Sequence, residues 1–202
     1  MTRDEQRKLK ALKSALPKML KEFAPKYKLK KIDYMLYAVK NNLFFDCLID
    51  VSVNKNNECI CSTRESLKPI WIDDLFWQLL GMHDNMKSPI SLRANGAFTV
   101  SGVFIYENEQ VLDFWNEDEL RNIVKIHIEH FCNNINKMTI QDFENNLSQP
   151  YHYQVRKALY HIHQQQFQQA LDTVGNDRGS FRNGNIDINN AIRNYCIEQM
   201  NI

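Results

Sequence analysis

Residues Ile32 to Val53 constrain the fold more tightly than any other stretch, because turn chemistry and hydrophobic pattern agree there on a single pairing. From Leu43 onward the odd positions Leu43, Phe45, Cys47, Ile49, Val51 and Val53 are apolar, with Asp46, Asp50 and Ser52 between them. That alternation is the period of a half-buried strand. Just before it stands Asn41-Asn42, and asparagine tolerates the positive φ that a two-residue primed turn demands. A turn of that length sets Lys40 opposite Leu43, and so Ala38 opposite Phe45, Leu36 opposite Cys47, Tyr34 opposite Ile49 and Ile32 opposite Val51. A slip of one residue would carry Asp46 and Asp50 into the apolar row. The segment is predicted to be two antiparallel strands in one register.

Around this hairpin the chain divides into recognisable pieces. Thr2 to Glu5 has the form of a capping box, and Leu9, Leu12, Leu16, Met19, Leu20 and Phe23 follow on one helical face. Pro17 predicts a kink or break near Ala15-Leu16, and Pro25 an end. A third short strand is expected over Cys59 to Thr63. A short aromatic helix from Trp71 to Leu80 carries Asp73-Asp74 at its front and Gly81 behind it. Asn95-Gly96 reads as a second hairpin turn between strands at Ile90 to Ala94 and Ala97 to Tyr106. The sheet thus reaches about five antiparallel strands.

From Asn116 the chain reads as helical. One helix is capped by Asn116 and runs to about Asn136; a second is capped by Thr139 and closed by Pro150. A helical hairpin follows over Tyr153 to His163 and Phe167 to Val174. Gly175 to Asn185 is expected as a mobile loop before a last helix from about Ile188 to Met200. The fold class is therefore α+β: an antiparallel sheet packed by the N-terminal amphipathic helix and the aromatic helix, with a C-terminal helical bundle. The expected division is an α+β domain at 1–136 and a helical extension at 137–202, packed on it or part of a single domain.

Composition narrows the function classes. No run approaches the eighteen or so apolar residues of a membrane span, and the N-terminus lacks the apolar core of a signal peptide. A cytoplasmic protein is expected, with its five cysteines as reduced thiols. Net charge is only +1, yet residues 1–31 hold eleven Lys/Arg against three carboxylates, a net of +8 that leaves −7 for the remainder. Arg3, Arg7, Lys10, Lys18 and Lys21 gather opposite the apolar face of the first helix. They can meet an acidic partner, neutralise nucleic-acid phosphates, or dock on the chain's own acidic body.

The one metal-like pair is His127 and His130, three apart on a helix and so on one face. A third ligand would have to come from Cys132, which points elsewhere, or from a residue not placed by the pattern such as His152, His161 or His163, so no metal is assigned and the pair is read as surface or groove-lining. No phosphate loop, nucleophile elbow or cofactor motif is present. Asp46 and Asp50 share a strand face and are read as its solvent side.

The order of elements resembles that of a group of small bacterial α+β proteins catalogued as a domain of unknown function, some of them immunity-like or accessory. The stretches that carry the resemblance are the Lys-rich first helix, the meandering sheet, Phe114 to Leu120, Thr139 to Phe143, and Ala158-Leu159 with Gln166 to Leu171. It covers roughly residues 5 to 175 and implies an α+β fold without catalytic residues. The resulting expectation is a non-catalytic protein that binds another protein. The alternatives are nucleic-acid binding through the basic helix, or an enzyme with a His/Asp cleft that uses His127, His130 or Asp46.

Overall fold

A computed structural model describes residues 1–95, 98–113 and 115–200, Asn95 by its backbone alone. In chain order the elements are α1 (Arg3–Lys26), β1 (Lys30–Ile32), β2 (Met35–Lys40), β3 (Leu43–Val53), β4 (Cys59–Pro69), α2 (Ile70–Leu79), α3 (Leu92–Asn95), β5 (Val103–Val111), α4 (Glu117–Lys137), α5 (Ile140–Asn145), α6 (Tyr153–His163), α7 (Phe167–Val174), β6 (Arg182–Asn183), β7 (Ile186–Asp187) and α8 (Ile188–Met200). The fold is α+β, with β1 to β5 in one sheet in sequence order and β6 and β7 in a separate hairpin. Contacts divide the chain into two units, Met1–Leu67 with Phe104–Thr139 and Lys68–Val103 with Ile140–Ile202.

The first unit holds the organising hairpin. Asn41 and Asn42 both take positive φ, 52° and 60°, and the register runs Lys40 to Leu43, Ala38 to Phe45 and Leu36 to Cys47 as the pattern requires. The Ile49 N–H still reaches the Tyr34 carbonyl at 3.2 Å. Ile32, expected opposite Val51, instead pairs with Met35. The chain reverses at Asp33, whose φ is 46°, and the preceding residues become the added strand β1. Beyond the turn after Val53, β4 runs past Thr63 to Pro69, because Glu65 and Ser66 are buried as strand residues instead of ending the strand.

The capping box of α1 forms: the Glu5 N–H donates to Thr2 Oγ1 at 3.2 Å, and the Thr2 N–H donates to Glu5 Oε2 at 2.6 Å. The helix then runs unbroken through Pro17 and closes at Lys26, one residue past Pro25. Proline costs a helix a donor and a carbonyl partner. Here that carbonyl belongs to exposed Lys13, while Leu12, Leu16, Met19, Leu20 and Phe23 hold the opposite face in the core. In α4 the Glu119 N–H donates to the Asn116 cap at 2.9 Å. The two helices pack on one another, tied by Arg121 to Glu22 at 2.8 Å and by the Tyr27 hydroxyl to Glu129 at 3.0 Å.

In the second unit the segment Ile90 to Ala94 is no strand. Its last residues enter the helical turn α3, and the following strand begins only at Val103. Gly96 and Ala97 lie outside the described residues. The hairpin pattern fails here because Arg93 turns inward, donating to Asp74 at 2.6 Å and lying over the Trp77 ring. Asp73, fully buried, forms an ion pair with Lys68 at 2.8 Å and accepts from the Val100 N–H at 2.9 Å.

The Gly/Asn-rich stretch expected as a mobile loop is a pinned one. The Asp187 carboxylate takes the Gly179 N–H at 3.0 Å and the N–H groups of Asn189 and Asn190, which open α8. A Cβ on Gly179 would stand 2.4 Å from Ile188 Cγ2, so the loop closes only over glycine. Arg156, with no exposed surface, is caged by the carbonyls of Leu147, Gln149, Tyr151, Ser101 and Gly102.

Candidate functional site

The basic residues of α1 form a single line. Arg3, Arg7, Lys10, Lys18 and Lys21 recur at helical spacing, extend about 27 Å at 1.5 Å per residue, and are all exposed. Exposed Ser14 fills the gap in the row. Among the described residues none of the five cations makes a hydrogen bond or ion pair. Flanking lysines do: Lys8 reaches Asp4 at 3.7 Å and Lys26 reaches Glu22 at 2.8 Å. The stripe is therefore solvated and not neutralised by the chain's own carboxylates.

Beside the stripe lies a shallow hollow of about 330 Å³, with Met1, Leu9, Pro17 and Tyr34 as its apolar floor and Lys10 and Lys13 at its border. Met1 and Tyr34 are 51% and 40% exposed. The turn at Asp33 positions Tyr34, which is why a helical wheel of α1 alone does not reveal the hollow. An apolar floor rimmed by unpaired cations suits a side chain pair on a protein partner, one apolar and one acidic. Tyr34 supplies a single ring beside Lys10 and Lys13, short of the series of rings on which successive bases stack.

The histidines of α4 part company despite their spacing. His130 Nδ1 lies 2.9 Å from Glu65 Oε1, and its ring packs on Tyr106 with centroids 3.8 Å apart. The second Glu65 oxygen accepts from Asn134 at 2.7 Å. Burial raises the Glu65 carboxyl above its ordinary value, and the bonds from His130 and Asn134 only partly oppose this. His127 is buried with Nε2 unpartnered, and burial, reinforced by the charge of His130, lowers its pKa. No cluster of three or more metal-ligating side chains occurs among the described residues.

Asp46 does not join this group. Cys47 Sγ touches Thr63 Oγ1 at 3.3 Å, so Thr63 and Glu65 share the Cys47 face of the sheet. Asp46 accepts from Ser66 at 2.7 Å on the other face. Strand alternation thus separates the carboxylate from the histidine that an acid/base site would combine. Asp50, on the Asp46 face, lines a second hollow with Ser62, Arg64 and Glu107.

No helix among the described residues is long and apolar enough to cross a membrane. Comparison with protein-family models, curated proteins and solved structures finds no match.

Proposed function

We propose that this chain is a non-catalytic binding protein that engages an acidic surface of another protein through α1. An immunity-like or accessory role, which the resemblance suggests, is a reading of the same kind. The supporting observation is the unpaired cation stripe lying against an apolar hollow. Opposed charge raises the association rate and selects among partners, while the buried apolar contact slows release.

Three substitutions, Arg7→Glu, Lys10→Glu and Lys21→Glu, lie on exposed positions that contribute nothing to the core, so circular dichroism of the triple variant should match the parent. Affinity capture from the native cell with parent and variant, followed by titration of the captured protein, tests the reading. The expected partner has an acidic surface, binds more weakly as salt rises, and loses at least tenfold in affinity on charge reversal. Tyr34→Ala should also weaken it. Capture of nucleic acid, or duplex binding that Tyr34→Ala leaves unchanged and α1 reversal abolishes, would replace a protein partner with a nucleic-acid one. Partner binding indifferent to the triple variant ends the proposal.

A further inference from the structure

We infer that the cleft between α2 and α8 is a binding site for a neutral oligosaccharide. Helix α2 has two working faces. Ile72, Asp73, Phe76 and Trp77 are buried, whereas Trp71, Asp74, Leu75 and Gln78, three and four apart on the adjoining face, line a hollow of about 540 Å³. Its other walls include His163 at the end of α6, the turn residue Gln165, Phe167 of α7, and Tyr195 and Gln199 of α8. A further hollow of about 480 Å³ adjoins it, sharing Gln78 and Tyr195 and bordered by Asn190, Asn194 and Glu198 of α8. Each volume lies in the usual range of small-ligand sites. All these residues belong to the second unit.

The lining selects its occupant by what it holds and what it lacks. No lysine or arginine lines either hollow, so a phosphate, sulfate or carboxylate meets no countercharge there. Asp74 is engaged by Arg93 at 2.6 Å, and Asp187 by the N–H groups of Gly179, Asn189 and Asn190. Burial lowers the His163 pKa, which keeps that ring uncharged near neutral pH. What remains is rings and amides. Trp71 and His163 stack with centroids 3.9 Å apart and planes within 8° of parallel, and Phe143 braces Trp71 edge-to-face. Phe167 and Tyr195 meet edge-to-face at 6.4 Å. The side-chain amides of Gln78, Gln165, Asn194 and Gln199 make no hydrogen bond among the described residues, and each carries donors and an acceptor on adjoining atoms. A pyranose is the complement of such a lining: it has an apolar C–H face for a ring, and neighbouring hydroxyls, each donor and acceptor, for an amide. Two adjoining hollows suit two or more linked rings. The walls are chiefly helices, whose interior N–H and C=O groups are used within each helix, so an extended peptide finds no backbone edge to pair with. The cleft shares no residue with the α1 stripe, and neither proposal depends on the other.

The probes are four neutral hexasaccharides, of α-linked glucose, β-linked glucose, N-acetylglucosamine and mannose, each titrated against the ¹⁵N-labelled full chain. At least one should bind saturably at millimolar concentration and shift the Trp71 indole N–H, a resonance assigned by its absence from Trp71→Phe. Gln78→Ala combined with Gln199→Ala, both at exposed positions, should leave circular dichroism unchanged and weaken that binding at least tenfold. A sulfated form of the same sugar should also bind at least tenfold more weakly. The α1 triple variant should bind the sugar as the parent does, so a failure here and a failure of the α1 reading remain distinguishable. The inference is overturned by any of five results: no binding of the four sugars, a Trp71 indole that does not move, full binding by the double variant, equal binding of the sulfated form, or an equal shift of the same indole by an uncharged peptide alternating Ser and Gln.

Discussion

At the scale of single residues, what the sequence conceals is charge in the core. Glu65, Lys68, Asp73 and Arg156 are all buried, although such side chains are almost never fully buried unless paired. Their partners explain it, and the partners are remote: Asn134 stands 69 residues from Glu65, and the Gly102 carbonyl 54 from Arg156. A periodicity argument sees only neighbours within one element, so it cannot distinguish a solvated charge from a compensated one. His127 is the buried polar residue whose Nε2 has no partner, and it yields a pH prediction. Unfolded, it titrates near its ordinary 6.5, while burial depresses the folded value. Below about pH 6.5 the unfolded chain thus binds the extra proton, and stability falls with pH. His127→Leu should remove this contribution, which is at most about 1.4 kcal/mol per pH unit. His152 and His163, also depressed by burial, leave a residual slope. Urea unfolding at pH 7.5 and 5.5 checks this: the variant should lose less stability than the parent, and an equal loss rejects the assignment.

At the scale of elements, legibility followed the locality of the signal. The Asn41-Asn42 turn, the capping box of α1 and the Asn116 cap of α4 each depend on residues within a few positions, and each stands as the residues predict. The Asn95-Gly96 signal was equally local, yet Ile90 to Ala94 before it formed no strand and the strand after it begins only at Val103. The inward pull of Asp74 on Arg93 outweighed the weak β preference of Ile90 to Ala94. The α1 stripe was visible from spacing, whereas its lack of partners and the hollow beside it required Tyr34 to arrive from another element. The primed turn gives the test at this scale. Asn42 has φ of 60°, a region that costs an ordinary L-residue about 1–2 kcal/mol and a β-branched one no less. Asn42→Val should therefore destabilise the protein by about that amount, while Asn42→Gly, the preferred second residue of such turns, should cost nothing measurable. Equilibrium denaturation of the pair separates a turn that sets register from one that merely tolerates it.

For the whole molecule, the charge asymmetry was readable as a sum over residues, but the grouping of segments was not, since it depends on contacts between distant stretches. Each unit is assembled from two segments, and the chain passes between units at Leu67, Val103 and Thr139. A fragment of residues 1–139 therefore contains the first unit complete, with its sheet hairpin, α1 and α4. It carries Lys68 to Val103 stripped of Ile140 onward. In that remnant Trp71 loses the rings of Phe143 and His163, and Phe76 loses Phe181. The Leu80 carbonyl loses its donor from Asn183, and the Ser101 and Gly102 carbonyls lose Arg156. An amphipathic helix of ten residues does not hold in water without tertiary packing. Amide hydrogen exchange on the fragment should accordingly show protection kept in β2, β3 and α4 and lost across Ile70 to Leu79, together with new binding of a hydrophobic dye. Loss of protection throughout would mean that the first unit depends on the second for its own stability. Protection retained in Ile70 to Leu79 would mean that this helix is held by something other than the rings and carbonyls of its unit.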